Sequence, residues 1–191
     1  MEEKKTVAVY SGSFNPLHIG HYDIIQALHD TPWIDKVLVV VSPKNPGKSE
    51  RLYIQTPTER LQAVQEMILK YGLSDKVEAS DIEFSRKQPI WTVDTLLEIK
   101  ALYPSHRVIY VCGMDCLEKI QRWRRGDIIL QDILVFQREG YNGDEIIKSA
   151  LEKYPDSNIE TLDVVPRNVS STYIRERMQN GEEDDYKELI P

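Results

Sequence analysis

The chain has 191 residues, of which 41% are hydrophobic and 29% charged, and its formal net charge is −7 at neutral pH. This length predicts a single domain, residues 1–191, with a substantial core, and the composition is typical of a soluble globular protein. The negative charge disfavours nucleic acid as the main partner, although it permits a small anionic substrate at a locally positive site.

The cellular setting is predicted from features that the sequence lacks. No apolar run approaches the ~20 residues of a membrane span, and the N-terminus leads into a predicted strand where a signal peptide would have its apolar region. Cys112 and Cys116 lie four residues apart without a second pair, which predicts neither a disulfide framework nor a zinc site. We therefore expect reduced thiols and a cytoplasmic protein.

Short apolar runs alternate with helical patterns along the whole chain. Strands are predicted at Thr6–Ser11, Lys36–Val41, Val77–Ser80, Arg107–Val111, Ile133–Phe136 and about Ile159–Val165. Helices are predicted around Ile24–Leu28, from the capping box at Thr56–Glu59 to Gly72, and at Thr92–Leu102, Asp115–Gln121, Gly143–Tyr154 and Ser171–Asn180. The alternation predicts an α/β fold: a single Rossmann-like, doubly wound parallel sheet with helices on both faces. Ligands of such sheets bind beyond the carboxyl ends of the strands.

The most informative segment is Gly12–His21, which reads Gly-Ser-Phe-Asn-Pro-Leu-His-Ile-Gly-His. It lies between a predicted strand and a predicted helix, where a glycine-rich turn directs backbone N–H groups and the positive helix end toward an anion, typically a phosphate. His18 and His21 are three residues apart and are expected to share one face of the first helical turn. The motif and its position together predict a phosphate-binding site.

A second motif, Ser170-Ser-Thr-Tyr-Ile-Arg175, precedes the last predicted helix. Serine and threonine at this position predict N-capping of that helix. The same helix end suits a second anion, which Arg175 on the first turn would face.

These motifs resemble the signatures of the nucleotidyltransferase superfamily whose hallmark is His-x-Gly-His. Within that superfamily the chain resembles the bacterial nicotinate-nucleotide adenylyltransferases, because further segments occur in that family's order over residues 6–191. These segments are Trp91-Thr-Val-Asp-Thr-Leu96, Gly113-Met-Asp115, Arg122-Trp123 and Phe136-Gln-Arg138-Glu-Gly140.

The resemblance implies transfer of the adenylyl group of ATP to nicotinate mononucleotide, which gives deamido-NAD and pyrophosphate in NAD biosynthesis. It implies Mg²⁺ with the ATP, no dedicated cluster of metal ligands, and two small-molecule partners, with neither nucleic acid nor membrane. Three alternatives stay open: a nicotinamide-mononucleotide or dual-specificity enzyme, a sister phosphopantetheine adenylyltransferase or cytidylyltransferase, and a non-catalytic nucleotide-binding module.

The resemblance also implies the residues of the site. His18, His21 and Arg175 are the implied catalytic residues. ATP is expected at Gly12, Ser13, Phe14, His18, His21, Gly113, Asp115, Arg138, Ser170, Ser171, Thr172 and Arg175. Nicotinate mononucleotide is expected at Asn15, Lys48, Thr92, Asp115, Trp123 and Arg124, with Trp123 stacked on the pyridine ring.

Local alternatives remain for some of these residues. Asn15 would bridge the nucleotide and the following loop, or cap locally. Asp115 would bind a ribose hydroxyl, cap its own helix, or both, and Trp91 would stack on a ring or lie in the core. Residues 42–56, which contain Pro43-Lys-Asn-Pro-Gly-Lys48, are predicted to form a mobile loop that orders when the mononucleotide binds.

Overall fold

The computed structural model describes residues 4–44 and 53–191. Within them, parallel strands form one sheet in the order β3-β2-β1-β4-β5-β6. The strands are β1 (Thr6–Gly12), β2 (Lys36–Val41), β3 (Val77–Ser80), β4 (Arg107–Gly113), β5 (Asp132–Phe136) and β6 (Asn158–Leu162). The helices are α1 (Ile19–Asp30), α2 (Pro57–Lys70), α3 (Thr92–Leu102), α4 (Met114–Ile120), α5 (Gly126–Ile129), α6 (Gly143–Lys153) and α7 (Ser171–Asn180), followed by 3₁₀ turns at Glu183–Asp185 and Lys187–Leu189.

Helices cover both faces of the sheet. Successive residues of a strand point to opposite faces, so they belong to different cores. Ala8 and Tyr10 of β1 belong to the core that packs against α1 and α2. Val7 and Val9, which alternate with them, belong to the core that packs against α3, α4 and α6. The apolar runs of the central strands β1, β2, β4 and β5 are therefore buried on both sides. The predicted fold class is confirmed.

The strand order reverses between β1 and β4. The chain runs outward from β1 through β2 to β3, then returns to the centre, where β4 pairs with the free side of β1. Such a reversal opens a crevice at the carboxyl ends of the two central strands. The loops that follow β1 and β4, which carry the predicted phosphate and ribose motifs, both begin there.

Most predicted element boundaries agree with the structure within two residues. Thr56 accepts a hydrogen bond from the backbone of Glu59 (3.2 Å), so the predicted capping box starts α2. Gly181 ends α7 in the left-handed conformation, at φ +74°. The prediction for β6 was wrong at its end, since the strand stops at Leu162, and the four-residue helix α5 was not predicted because it is too short to show a period.

Two further predictions concern the mobile loop and the absence of a membrane span. Residues 45–52 of the predicted mobile loop, including Lys48, lie outside the described residues, so the mobility of that loop stays a prediction. Across residues 4–44 and 53–191, every helix is too short or too polar to cross a membrane.

Candidate active site

The loop that follows β1 depends on glycine at the last position of that strand. A Cβ on Gly12 would lie 2.9 Å from the Cζ atom of Phe14, so the Phe14 ring folds back over a residue that must have no side chain. Phe14 itself is 1% exposed and has φ +46°, a left-handed conformation that is rare for a bulky residue. Backbone strain of this kind concentrates at functional sites, where the surrounding structure maintains it.

The two motif histidines stack on each other at the start of α1. His18 is the N-cap residue, and its backbone N–H donates to Nδ1 of His21 at 3.2 Å. The ring centroids are 3.6 Å apart. Because Nδ1 of His21 accepts a hydrogen bond, the neutral ring carries its proton on Nε2, where it can act as a donor.

Gly20, between the two histidines, permits a close approach of a distant segment. A Cβ at this position would lie 2.8 Å from the carbonyl oxygen of Arg167 and 3.2 Å from the His18 ring. The glycine of the His-x-Gly-His motif therefore allows the chain before the second motif to contact α1.

The second motif lies against the first. Ser170 caps α7 by accepting from the backbone N–H of Tyr173 at 3.1 Å, as predicted. Ser171 donates through its hydroxyl to the carbonyl oxygen of Pro16 at 3.0 Å. The amino ends of α1 and α7 are thus held at the same edge of the sheet, although the two motifs are far apart in the chain.

Arg175 strengthens this junction. Its guanidinium donates to the carbonyl oxygen of Asn15 (2.7 Å) and to the hydroxyl of Thr172 (2.9 Å). The side-chain oxygen of Asn15 accepts from the backbone N–H of Ile54, near the end of the predicted 42–56 loop, at 3.2 Å. Asn15 therefore joins the loop after β1 to the segment at Ile54, while His18 is the N-cap of α1. The bridging of a bound nucleotide by Asn15 stays a prediction.

Gly113, Asp115 and Arg138 meet at the carboxyl ends of β4 and β5. The Nε atom of Arg138 donates to Oδ1 of Asp115 at 3.3 Å. A Cβ on Gly113 would lie 2.6 Å from that same carboxylate oxygen. Because α4 begins at Met114 with Gly113 as its N-cap, the alternative that Asp115 caps the helix was wrong.

A third group of predicted residues lies at the start of α3. Thr92 is the first residue of that helix and Trp91 its N-cap. The guanidinium carbon of Arg124 lies 5.9 Å from the centre of the Trp91 ring, so the segments at 91–92 and 123–124 come together. Trp91 also packs against the core, whereas Trp123 is 37% exposed.

Comparison with known proteins identifies the family. A family model described as cytidylyltransferase-like matches residues 9–177, a range that includes both histidines and Arg175. The chain belongs to the cytidylyltransferase-like family. It is therefore a nucleotidyltransferase by family.

Individual relatives agree with the assignment of the chain to this family. A probable nicotinate-nucleotide adenylyltransferase of Flavobacterium johnsoniae is 33% identical over 92% of this chain and 87% of its own length. Another from Bacteroides fragilis is 34% identical over 96% and 87%. Among solved structures, the Plasmodium falciparum nicotinic acid mononucleotide adenylyltransferase complexed with NaAD matches with a TM-score of 0.81 at 23% identity, covering 97% of this chain and 90% of that one. That match shows the same fold.

Burial keeps the His18 side chain neutral at neutral pH. His18 is 5% exposed, and burial lowers its pKa to about 4, with the Arg138 cation adding to the lowering and Asp23 opposing it. Its Nδ1 atom is buried and has no hydrogen-bond partner among the described residues. An unpaired buried nitrogen is unfavourable, and such groups are concentrated at functional sites.

We expect this low pKa to make stability depend on pH. The unfolded chain takes up a proton at His18 near pH 6.5, whereas the folded chain does so only near pH 4, so stability falls as the pH falls between these values. From about pH 7.5 to about pH 5, the wild type should lose about 2 kcal/mol more unfolding free energy than His18→Gln. Urea unfolding at the two pH values measures this, and an equal loss in both proteins would contradict the low pKa.

Asp23 and Arg167 were not predicted, yet they join the two motifs. The Asp23 carboxylate accepts from the backbone N–H of Arg167 at 2.8 Å and from its Nη2 at 2.6 Å. Both residues lie within three positions of a motif. This proximity is the feature of the sequence from which they could have been predicted.

A cavity of about 950 Å³ opens at the opposite, amino-terminal edge of the sheet, beside Trp33 and Arg107. Arg107 there is paired with Asp132 and Glu160, at 2.5 Å from each. Because these charges satisfy one another and the predicted motifs are absent from its lining, the candidate active site is the one at the carboxyl edge.

Proposed function

We propose that this protein transfers the adenylyl group of ATP to nicotinate mononucleotide, giving deamido-NAD and pyrophosphate. The observation that carries the proposal is the meeting of the amino ends of α1 and α7, joined by the 2.7 Å bond from Arg175 to Asn15. Two converging helix amino ends suit a triphosphate. Relatives at 33% and 34% identity are named for a nicotinate-nucleotide acceptor.

The reaction requires positioning and charge stabilisation more than covalent chemistry. The phosphate of the mononucleotide attacks the α-phosphorus of ATP, a new P–O bond forms, and the bond to the pyrophosphate oxygen breaks. The attacking phosphate is already an anion, so no general base is needed. His18 and His21 donate hydrogen bonds to phosphate oxygens, and Arg175 neutralises charge on the leaving pyrophosphate.

ATP lies along the junction of the motifs in this proposal. Gly12, Ser13 and Phe14 give close backbone approach to the phosphates, and Ser170–Thr172 supply the amino end of α7. Gly113 leaves space for the nucleoside, Asp115 accepts from a ribose hydroxyl, and Arg138 lies toward the adenine.

Nicotinate mononucleotide lies toward α3. The exposed ring of Trp123 stacks on the pyridine ring, and Thr92 and Arg124 bind its carboxylate. Asn15 lies between the two substrates. Lys48, outside the described residues, stays a predicted contact to the mononucleotide phosphate.

Magnesium enters as part of the MgATP substrate. Over the described residues, no group of three or more His, Cys, Asp or Glu side chains is placed to hold an ion. The donors at the site are imidazole, guanidinium and hydroxyl groups, which fit phosphate oxygens, and magnesium offsets the triphosphate charge. We propose the cytoplasm as the compartment of the reaction.

The test of this function is pyrophosphate release from MgATP with separate acceptors. We expect release with nicotinate mononucleotide and none with phosphopantetheine. When CTP replaces ATP and an alcohol phosphate is the acceptor, we also expect no release. Release with phosphopantetheine alone would assign the protein to a sister activity. ATP binding without release for any acceptor would indicate a non-catalytic module.

We expect the enzyme to prefer the acid over the amide mononucleotide. The acceptor carboxylate meets the Thr92 hydroxyl, the amino end of α3 and the Arg124 guanidinium, all of which are donors or positive. The amide's NH₂ would leave one of these donors unpaired, at a cost of about 1–3 kcal/mol. The predicted kcat/KM for the acid is at least about tenfold above that for the amide.

Matched variants locate the source of this preference. Arg124→Gln should reduce the acid-to-amide ratio of kcat/KM at least about threefold, whereas Arg122→Gln, an exposed cation in the same turn, should leave the ratio unchanged. Comparable wild-type kcat/KM values for acid and amide would contradict a donor-lined site and indicate dual specificity.

A further inference from the structure

Two oppositely charged side chains are buried beneath the site, near the carboxyl end of β2. Arg60 of α2 is 0% exposed, and Glu83, which follows β3, is 3% exposed. Within the described residues, each is bound by neutral groups instead of an opposite charge. Buried charges are unfavourable unless hydrogen bonds satisfy them, so the groups that bind Arg60 and Glu83 are under a strong geometric constraint.

Arg60 holds together the two chain segments that leave the sheet at the site. Its guanidinium donates to the carbonyl oxygens of Ser13, Ser42 (2.7 Å) and Pro43 (2.8 Å). The ring of Tyr53 lies 4.9 Å from the guanidinium carbon. Since Ser13 follows β1 and residues 42–43 follow β2, Arg60 sets the separation of the phosphate loop from the start of the 42–56 segment.

Glu83 connects the start of the 42–56 segment to α3. One carboxylate oxygen accepts from the Ser42 hydroxyl at 2.7 Å, and the other accepts from the Thr95 hydroxyl at 2.7 Å. The Thr95 oxygen in turn accepts from Arg86 at 2.8 Å. Thr95 is 2% exposed and lies one turn after Thr92, so Glu83 fixes the first turns of α3.

Ser42 is the residue that both buried charges share. Its carbonyl oxygen accepts from Arg60, its hydroxyl donates to Glu83, and its backbone N–H donates to the carbonyl of Gly12 at 2.8 Å. We infer that Ser42 is a positioning residue that holds the phosphate loop and the amino end of α3 at the separation that the acceptor mononucleotide spans. This inference rests on the proposed function, because α3 binds the acceptor and not ATP.

The test is the Ser42→Ala variant, which removes the hydroxyl and keeps the carbonyl that binds Arg60. Glu83 then lacks one donor, and α3 is no longer fixed relative to the phosphate loop. We expect the KM for the mononucleotide to rise roughly tenfold, while the KM for ATP and the kcat stay within about twofold. Ser42→Thr, which restores a hydroxyl, should recover most of the loss.

Ser11→Ala is the matched control. The Ser11 hydroxyl lies 3.1 Å from the Tyr110 hydroxyl at the same end of the sheet, and among residues 4–44 and 53–191 it has no charged partner. This variant should leave both KM values within about twofold of wild type. If Ser42→Ala does not fold, Thr95→Val removes the other hydroxyl that donates to Glu83 and should give the same selective rise in KM.

Two sets of results would overturn the inference. One is an equal rise in both KM values, or no change, in Ser42→Ala. The other is a selective rise that Ser42→Thr does not reverse. Wild-type turnover is measured first with each pyridine mononucleotide, so failure of the proposed function is recognised before the variants are compared.

Discussion

Replacement of His21 by alanine is expected to lower kcat/KM by roughly 10²–10³, the effect of losing one preorganised donor to a developing charge. The bond from the His18 backbone to Nδ1 of His21 orients the ring and assigns its proton to Nε2. Alanine removes that donor from the transition state. His18→Ala should have a similar effect, because the two rings stack at 3.6 Å and act on the same phosphates.

His29→Ala is the matched control for both histidine variants. His29 lies in the last turn of α1 and binds Asp30 and Asp75 at 2.9 and 3.0 Å, away from the site. Its kcat/KM should stay within about twofold of wild type. A loss confined to the KM for ATP in the motif variants, with kcat intact, would show ordinary ground-state binding and contradict the transition-state role.

The second large effect is expected at Arg175. Arg175→Ala removes the cation that neutralises the leaving pyrophosphate and the 2.7 Å bond to the Asn15 carbonyl. We expect kcat/KM to fall by roughly 10²–10³, as for the histidines. Arg175→Lys should recover only part of the loss, since lysine keeps the charge but cannot bind Asn15 and Thr172 in the same fork.

Arg177→Ala on the same helix controls for a general effect on α7. Arg177 pairs with Glu182 at 2.6 Å, near the helix end and away from the first loop. The Arg177→Ala variant should retain the kcat and KM values of the wild type. Wild-type kinetics for Arg175→Ala would instead remove Arg175 from the site.

Local sequence patterns predicted the elements of the fold well. The apolar run at Lys36–Val41 and the helix at Thr92–Leu102 agree with the structure to the residue. The order of the strands could not be predicted, because fully buried strands are apolar throughout and carry no sign of their neighbours. The short helix α5 was missed for a different reason, since four residues show no periodicity.

The site was predicted where a motif is local and missed where contacts join distant residues. His18 and His21 were found from their spacing and their place after a predicted strand, and the Ser170–Arg175 motif from the family resemblance. Arg60 and Glu83 were not found. Arg60 does lie in register with Val64 and Met67 on the buried face of α2, and an arginine within an apolar stripe was a usable signal. Nothing comparable marks Glu83, whose partners are distant in the chain.

Other predictions stay open. The single-domain organisation, the mobility of residues 42–56 and the contacts of Lys48 remain predictions, as do the substrate roles of the site residues.

Adenylyl transfer is tested most directly by following isotopic label from ATP in the presence of nicotinate mononucleotide. With label on the α-phosphorus, we predict that it appears in a dinucleotide that comigrates with deamido-NAD, and with label on the γ-phosphorus, that it appears in pyrophosphate. Label from the γ-position in the acceptor, or no transfer from the α-position to any pyridine mononucleotide, would contradict the proposed reaction.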